Sequence, residues 1–102
     1  MNIRKLIYVC SPLRGDLESN IKRAREFSKY VVMSGHTPYT PHLFFTQFLD
    51  DNIQEERDVG IQMGIQMLYL CDEMWVFGKK ISSGMKMEID YAERRRIKVV
   101  YK

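Results

Sequence analysis

Apolar residues along this chain follow two spacings in turn. Short, nearly unbroken apolar runs at Lys5 to Cys10 (KLIYVC) and Glu73 to Phe77 (EMWVF) carry the β-branched and aromatic residues of buried strands. Between them the spacing lengthens. From Leu17 to Ser34 the positions Ile21, Ala24, Phe27, Val31 and Val32 step at helical intervals, and Gly35 stands where a helix commonly ends. Asn52 to Leu70 is the longest helical stretch. Val59, Met63 and Met67 form one stripe and Ile61, Ile65 and Leu68 another, which predicts burial on a broad front. Gly60 and Gly64 lie one turn apart, and the close approach of another backbone is expected there. Ile89 to Arg96 reads as a third helix and Lys98 to Tyr101 as a last strand. His36 to Pro41 offers one more strand, confined to a sheet edge by Pro38 and Pro41. His42 to Asp51 reads as a loop with room for one aromatic helical turn at Phe44, Phe45 and Phe48.

The resulting order is β-α-β-α-β-α-β. Such alternation implies right-handed crossovers and a parallel sheet covered by helices. The expected class is a three-layer α/β fold, flavodoxin- or Rossmann-like, with a four-stranded parallel sheet in a single domain over residues 1–102. In sheets of this kind ligands bind beyond the carboxyl ends of the strands. That rule gathers three loops: Ser11 to Asp16, Tyr39 to Phe45, and Gly78 to Gly84.

Composition narrows the function classes. With 45% hydrophobic and 28% charged residues the chain is ordinary for a globular domain. The net charge of +3 is mild and owes much to Arg94, Arg95 and Arg96 near a helix end, where cations complement the dipole, so nucleic acid is not the expected partner. Cys10 and Cys71 form no C-x-x-C pair, and two histidines do not complete a zinc set. Both cysteines are expected as reduced thiols. No apolar run approaches the length of a membrane helix, and a cytoplasmic protein is expected.

The chemistry concentrates in Ile81-Ser82-Ser83-Gly84-Met85-Lys86-Met87-Glu88. A strand, a Ser/Gly turn and a helix start direct free amides and a helix dipole at one spot, which suits an anion. Ser82 and Ser83 are N-cap residues in any case, and Gly84 removes bulk where a ligand would touch backbone. Met85, Glu88, Ile89 and Ala92 share one helical face, so Glu88 is a carboxylate on an apolar stripe. Burial there without function would cost several kcal/mol or force protonation. In the first loop Ser11, Arg14 and Gly15 directly follow a strand, and the arginine fork suits phosphate or carboxylate. Tyr39 and His42 are expected on the wall of the same pocket. Asp50, Asp51 and Asp58 read as helix-start charges rather than metal ligands, and Trp75 as core.

With Tyr8-Val9-Cys10-Ser11-Pro12-Leu13-Arg14-Gly15, Cys71-Asp72-Glu73-Met74-Trp75-Val76-Phe77-Gly78 and Ser82 to Glu88 in view, the chain resembles the nucleoside 2-deoxyribosyltransferase-like superfamily. It looks most like a small branch met in bacterial and phage genomes. The resemblance implies that Arg14 and Gly15 help hold a nucleotide, that Ser82 and Gly84 bind phosphate or sugar, and that Glu88 attacks the anomeric carbon of a deoxyribose. It also implies an Asp on the preceding helix to protonate the leaving base; that position here is about Gly64, between Met63 and Ile65. The expected activity is an N-glycosidase or deoxyribosyltransferase on a deoxynucleoside or its 5′-monophosphate, with no cofactor and no metal. The alternative is an inactive module that captures a nucleotide or nucleotide-derived signal. A third reading is an oligomer without a small ligand, joined through the Met-rich helix and the phenylalanines. A homo-oligomer, dimer or larger, is expected because so short a chain leaves a pocket open on one side.

Overall fold

The structure, a computed structural model, describes residues 3–102. β1 (Leu6–Cys10), α1 (Leu17–Met33), β2 (Thr37–Tyr39), α2 (Pro41–Phe44), a 3₁₀ turn (Phe45–Gln47), α3 (Gln54–Leu68), β3 (Glu73–Val76), α4 (Ser83–Arg94) and β4 (Lys98–Tyr101) follow in that order. The strands form one sheet in the order β2-β1-β3-β4, and every pair is parallel. The α/β class and the four-stranded parallel sheet are as the sequence implied. β2 lies at an edge, as its prolines require, and β3 is buried along its whole length.

After β2 the chain reverses its direction of travel across the sheet. Right-handed crossovers therefore put α1 on one face and α3 with α4 on the other. Alternate side chains of β1 divide accordingly. Ile7 and Val9 pack with Val31, Trp75 and Phe77 beneath α1. Tyr8 and Cys10 pack with Leu68, Met74, Met85, Ile89 and Ala92 beneath α3 and α4. The reversal also opens a crevice between the carboxyl ends of β1 and β3, the place where this topology offers a ligand site.

Several local expectations need correction. The aromatic helical turn expected within His42 to Asp51 forms, but it starts earlier, at Pro41, which presets the backbone at the first position of α2, and the 3₁₀ turn continues it. Phe44, Phe45 and Phe48 pack against one another there in tilted and edge-to-face pairs, with centroids 5.2 to 6.0 Å apart. α3 is not buried on a broad front: among the described residues it fully buries only Gly64 and Leu68, while Val59 is exposed. One side of this helix meets the sheet and α4, and among the described residues part of the other stays uncovered, with Val59 exposed. Gly60 and Gly64 admit side chains rather than a backbone, since a Cβ on each would meet Leu49 Cδ1 at 3.5 Å and Tyr8 Oη at 3.4 Å. α4 begins earlier than expected, at Ser83, and ends at Arg94. Arg96 takes a left-handed φ of 59° just beyond its cap.

Candidate functional site

A cavity fills the crevice between β1 and β3, and the ends of α2, α3 and α4 close around it. Leu13, Phe45, Leu49 and Ile61 give it apolar walls; Ser11, Arg14, His42, Ser82, Ser83, Gly84 and Glu88 supply its polar groups. These residues come from three separate segments, and the topology alone brings them together. Gly15 and Tyr39 do not border it. Gly15, at φ 100°, turns the chain toward α1 and faces a neighbouring depression instead. Tyr39 is paired in register with Tyr8 one strand farther toward the sheet edge. Its ring lies 5.8 Å from that of Tyr8, and its buried hydroxyl has no partner among the described residues.

Glu88 is the centre of the cavity chemistry. Met85, Ile89 and Ala92, its neighbours on one face of α4, are buried, which turns the carboxylate inward. The residue as a whole is half-buried, but Oε2 is enclosed and has no hydrogen-bond partner among the described residues. Burial disfavours the charged form and raises the carboxyl from 4.5 to about 7. The neighbouring Tyr8 hydroxyl pulls the other way by favouring the carboxylate, and the Tyr8 phenol is itself pushed well up by burial and by the Glu88 charge. A carboxylate poised near neutrality is one that can exist in both forms during a reaction.

Next to it, Ser82 caps α4 by accepting the Met85 amide at 3.2 Å, while its carbonyl takes the Lys86 amide at 2.9 Å. The Ser83 and Gly84 amides remain as first-turn donors without an intrahelical acceptor. Ser11, at the end of β1, is 1% exposed, and its Oγ has no partner among the described residues. Its carbonyl lies 2.9 Å from His42 Nε2. A carbonyl only accepts, so this nitrogen carries the proton and Nδ1 holds the lone pair of the neutral ring. Burial lowers the histidine pKa, against smaller opposing effects of the Ser11 carbonyl and Asp51.

The sequence did not single out Tyr8, Asp51 and Arg57 as a group. Asp51 was expected as a helix-start charge only. It accepts from Arg14 Nε at 2.9 Å through one carboxylate oxygen and lies 3.6 Å from Arg57 Nε through the other, and all three residues line the cavity. The signal was faint because Tyr8 and Arg14 lie far in sequence from Asp51 and Arg57, and the set follows no spacing. Cys10 and Cys71 are buried free thiols, each pushed up by burial, and neither borders the cavity. No helix is long and apolar enough to cross a membrane among the described residues.

Among curated proteins none matches the sequence. Among solved structures, the chain is similar to a 2-deoxyribosyltransferase from the psychrotolerant bacterium Bacillus psychrosaccharolyticus. The TM-score is 0.75 over 94% of this chain and 70% of that one, at 16% sequence identity. That protein is characterised as a biocatalyst for the synthesis of antiviral and antitumoral nucleosides. At such an identity the likeness is one of fold, and it agrees with the parallel sheet and its flanking helices. A family model described as Domain of unknown function (DUF7768) matches residues 5–102, and the chain belongs to that family.

Proposed function

We propose that the protein is an N-glycosidase or deoxyribosyltransferase acting on a deoxynucleoside or its 5′-monophosphate, with Glu88 as nucleophile. The observation that carries this reading is the enclosed, unpartnered Glu88 Oε2 at a cavity also lined by Ser11, Arg14, Ser82 and Ser83. A structural glutamate in such a place would be paired or turned to water. In its ionised form Glu88 attacks C1′ of the sugar, and the C1′–N bond breaks with its electron pair leaving on the base. The glycosyl ester that forms is then opened by water or by a second base. Gly64 supplies no acid for the departing base. Burial favours the neutral ring of His42, which stands in the cavity wall, and the departing base takes its proton from water. Phe45, Leu49 and Ile61 form an apolar wall for the base.

The fold shared with a nucleoside-processing enzyme supports the substrate class. The same reading holds that the protein works as a homo-oligomer, which the uncovered side of α3 and the exposed Phe44 and Phe48 favour. The test is incubation with a panel of deoxynucleosides and their 5′-monophosphates. Free base is expected from at least one, and Glu88→Gln is expected to lower its release about a thousandfold. Base release that survives Glu88→Gln, or none from any member of the panel, contradicts the proposal.

A further inference from the structure

Two guanidinium groups share one carboxylate beside the cavity. Asp51 gives Oδ2 to Arg14 Nε at 2.9 Å and Oδ1 to Arg57 Nε at 3.6 Å, and Arg14 Nη2 also reaches the Asp51 carbonyl at 3.4 Å. A single carboxylate cannot saturate two arginine forks, each of which offers five donors. Glu56, another acid that borders the cavity, commits its Oε1 to the Asp50 amide at 3.1 Å rather than to either arginine. The same cavity presents the Ser83 and Gly84 amides of a twelve-residue helix, and the buried Ser11 hydroxyl lacks a partner. These donors converge on one cavity. Among the described residues, Asp51 is the one anion paired with both arginines.

We infer that Arg57, with Arg14, forms a subsite for a phosphate monoester, and that Asp51 occupies it as a displaceable internal stand-in until the ligand arrives. This deepens the proposed function, on which it rests, by choosing the 5′-monophosphate over the free deoxynucleoside. A phosphate dianion offers three acceptor oxygens where the carboxylate offers two, and it gains from the α4 dipole as well. Ligand binding then exchanges one Arg–carboxylate contact for stronger Arg–phosphate contacts, and Asp51 swings toward solvent. Arg57 thus acts as a specificity-determining residue. It does not touch the reacting atoms.

The assignment predicts opposite effects for two neighbours in one ion pair. By calorimetric titration, wild type is expected to bind a deoxynucleoside 5′-monophosphate at least about tenfold more tightly than the matching deoxynucleoside. Arg57→Ala should weaken the monophosphate about tenfold more than the nucleoside, and Arg57→Lys should restore part of the difference. Asp51→Asn removes the competing anion and should tighten monophosphate binding several-fold, even where the melting temperature falls. If both ligands bind wild type equally, or Asp51→Asn weakens the monophosphate, the trio is a structural ion pair and this inference is overturned alone. If neither ligand binds, the nucleoside reading fails and takes the inference with it.

Discussion

Tyr8 and Gly64 meet so closely that a Cβ on the glycine would come within 3.4 Å of the tyrosine hydroxyl. α3 can therefore lie over β1 only with a very small residue at this position, and the hydroxyl reaches the cavity beside Glu88. Gly64→Ala is at the limit of ordinary contact and gains helix propensity of about 1 kcal/mol. Its stability is expected to stay within about 1 kcal/mol of wild type. Gly64→Leu should cost about 1–3 kcal/mol by overpacking. Denaturant unfolding of both variants checks the pair, and a fully tolerated leucine would show that α3 does not rest on Tyr8 in this way.

Tyr8→Phe removes the group that favours the charged form of Glu88. The carboxyl should then titrate above its present value of about 7, because burial remains and the opposing hydroxyl is gone. Carbon-13 NMR of the glutamate carboxyls reads this directly. A downward or absent movement would mean that the hydroxyl does not reach the carboxylate.

Glu88 also sets a pH dependence of stability. Its carboxyl binds a proton more tightly in the folded chain, at about 7, than at its ordinary value of 4.5. The proton thus stabilises the fold fully below that ordinary value, and the contribution is lost as pH rises through about 7. Glu88→Gln keeps the shape without the charge. It should be more stable than wild type at pH ~8, by on the order of 2 kcal/mol, with the difference shrinking toward pH ~5. Thermal melts across this range would refute the burial argument if the two curves ran parallel.

Ser11→Ala separates a structural hydroxyl from one kept for a ligand. Oγ has no partner to lose, so the melting temperature should not fall. Affinity for the bound nucleoside or nucleotide should drop about 5- to 30-fold, the worth of one buried hydrogen bond of ~1–2 kcal/mol. A destabilised variant with unchanged affinity would assign the serine to the fold instead.

The order of elements was legible because each strand is a short apolar run and each helix a longer, periodic one. Leu17 to Met33 and Lys98 to Tyr101 lie almost where the spacing put them. Glu88 was legible too, since an acid among Met85, Ile89 and Ala92 breaks an apolar stripe. What escaped was long-range placement. Tyr39 was grouped with His42 because they are close in sequence, but strand pairing carries its ring toward the sheet edge. Asp51 and Arg57 join Arg14 only through the fold. The breadth of the apolar surface on α3 was read as burial, whereas the chain leaves part of it uncovered. Apolar spacing states which faces prefer to leave water. It does not state whether this chain or a second copy provides the cover.

The most direct measurement is mass spectrometry of the protein, acid-quenched during turnover of a deoxynucleoside 5′-monophosphate and digested. The peptide containing Glu88 is expected to gain the mass of one substrate-derived deoxyribosyl group, and Glu88→Gln is expected to show no such gain. Base release with no adduct in wild type and an undiminished rate in Glu88→Gln would contradict Glu88 as nucleophile.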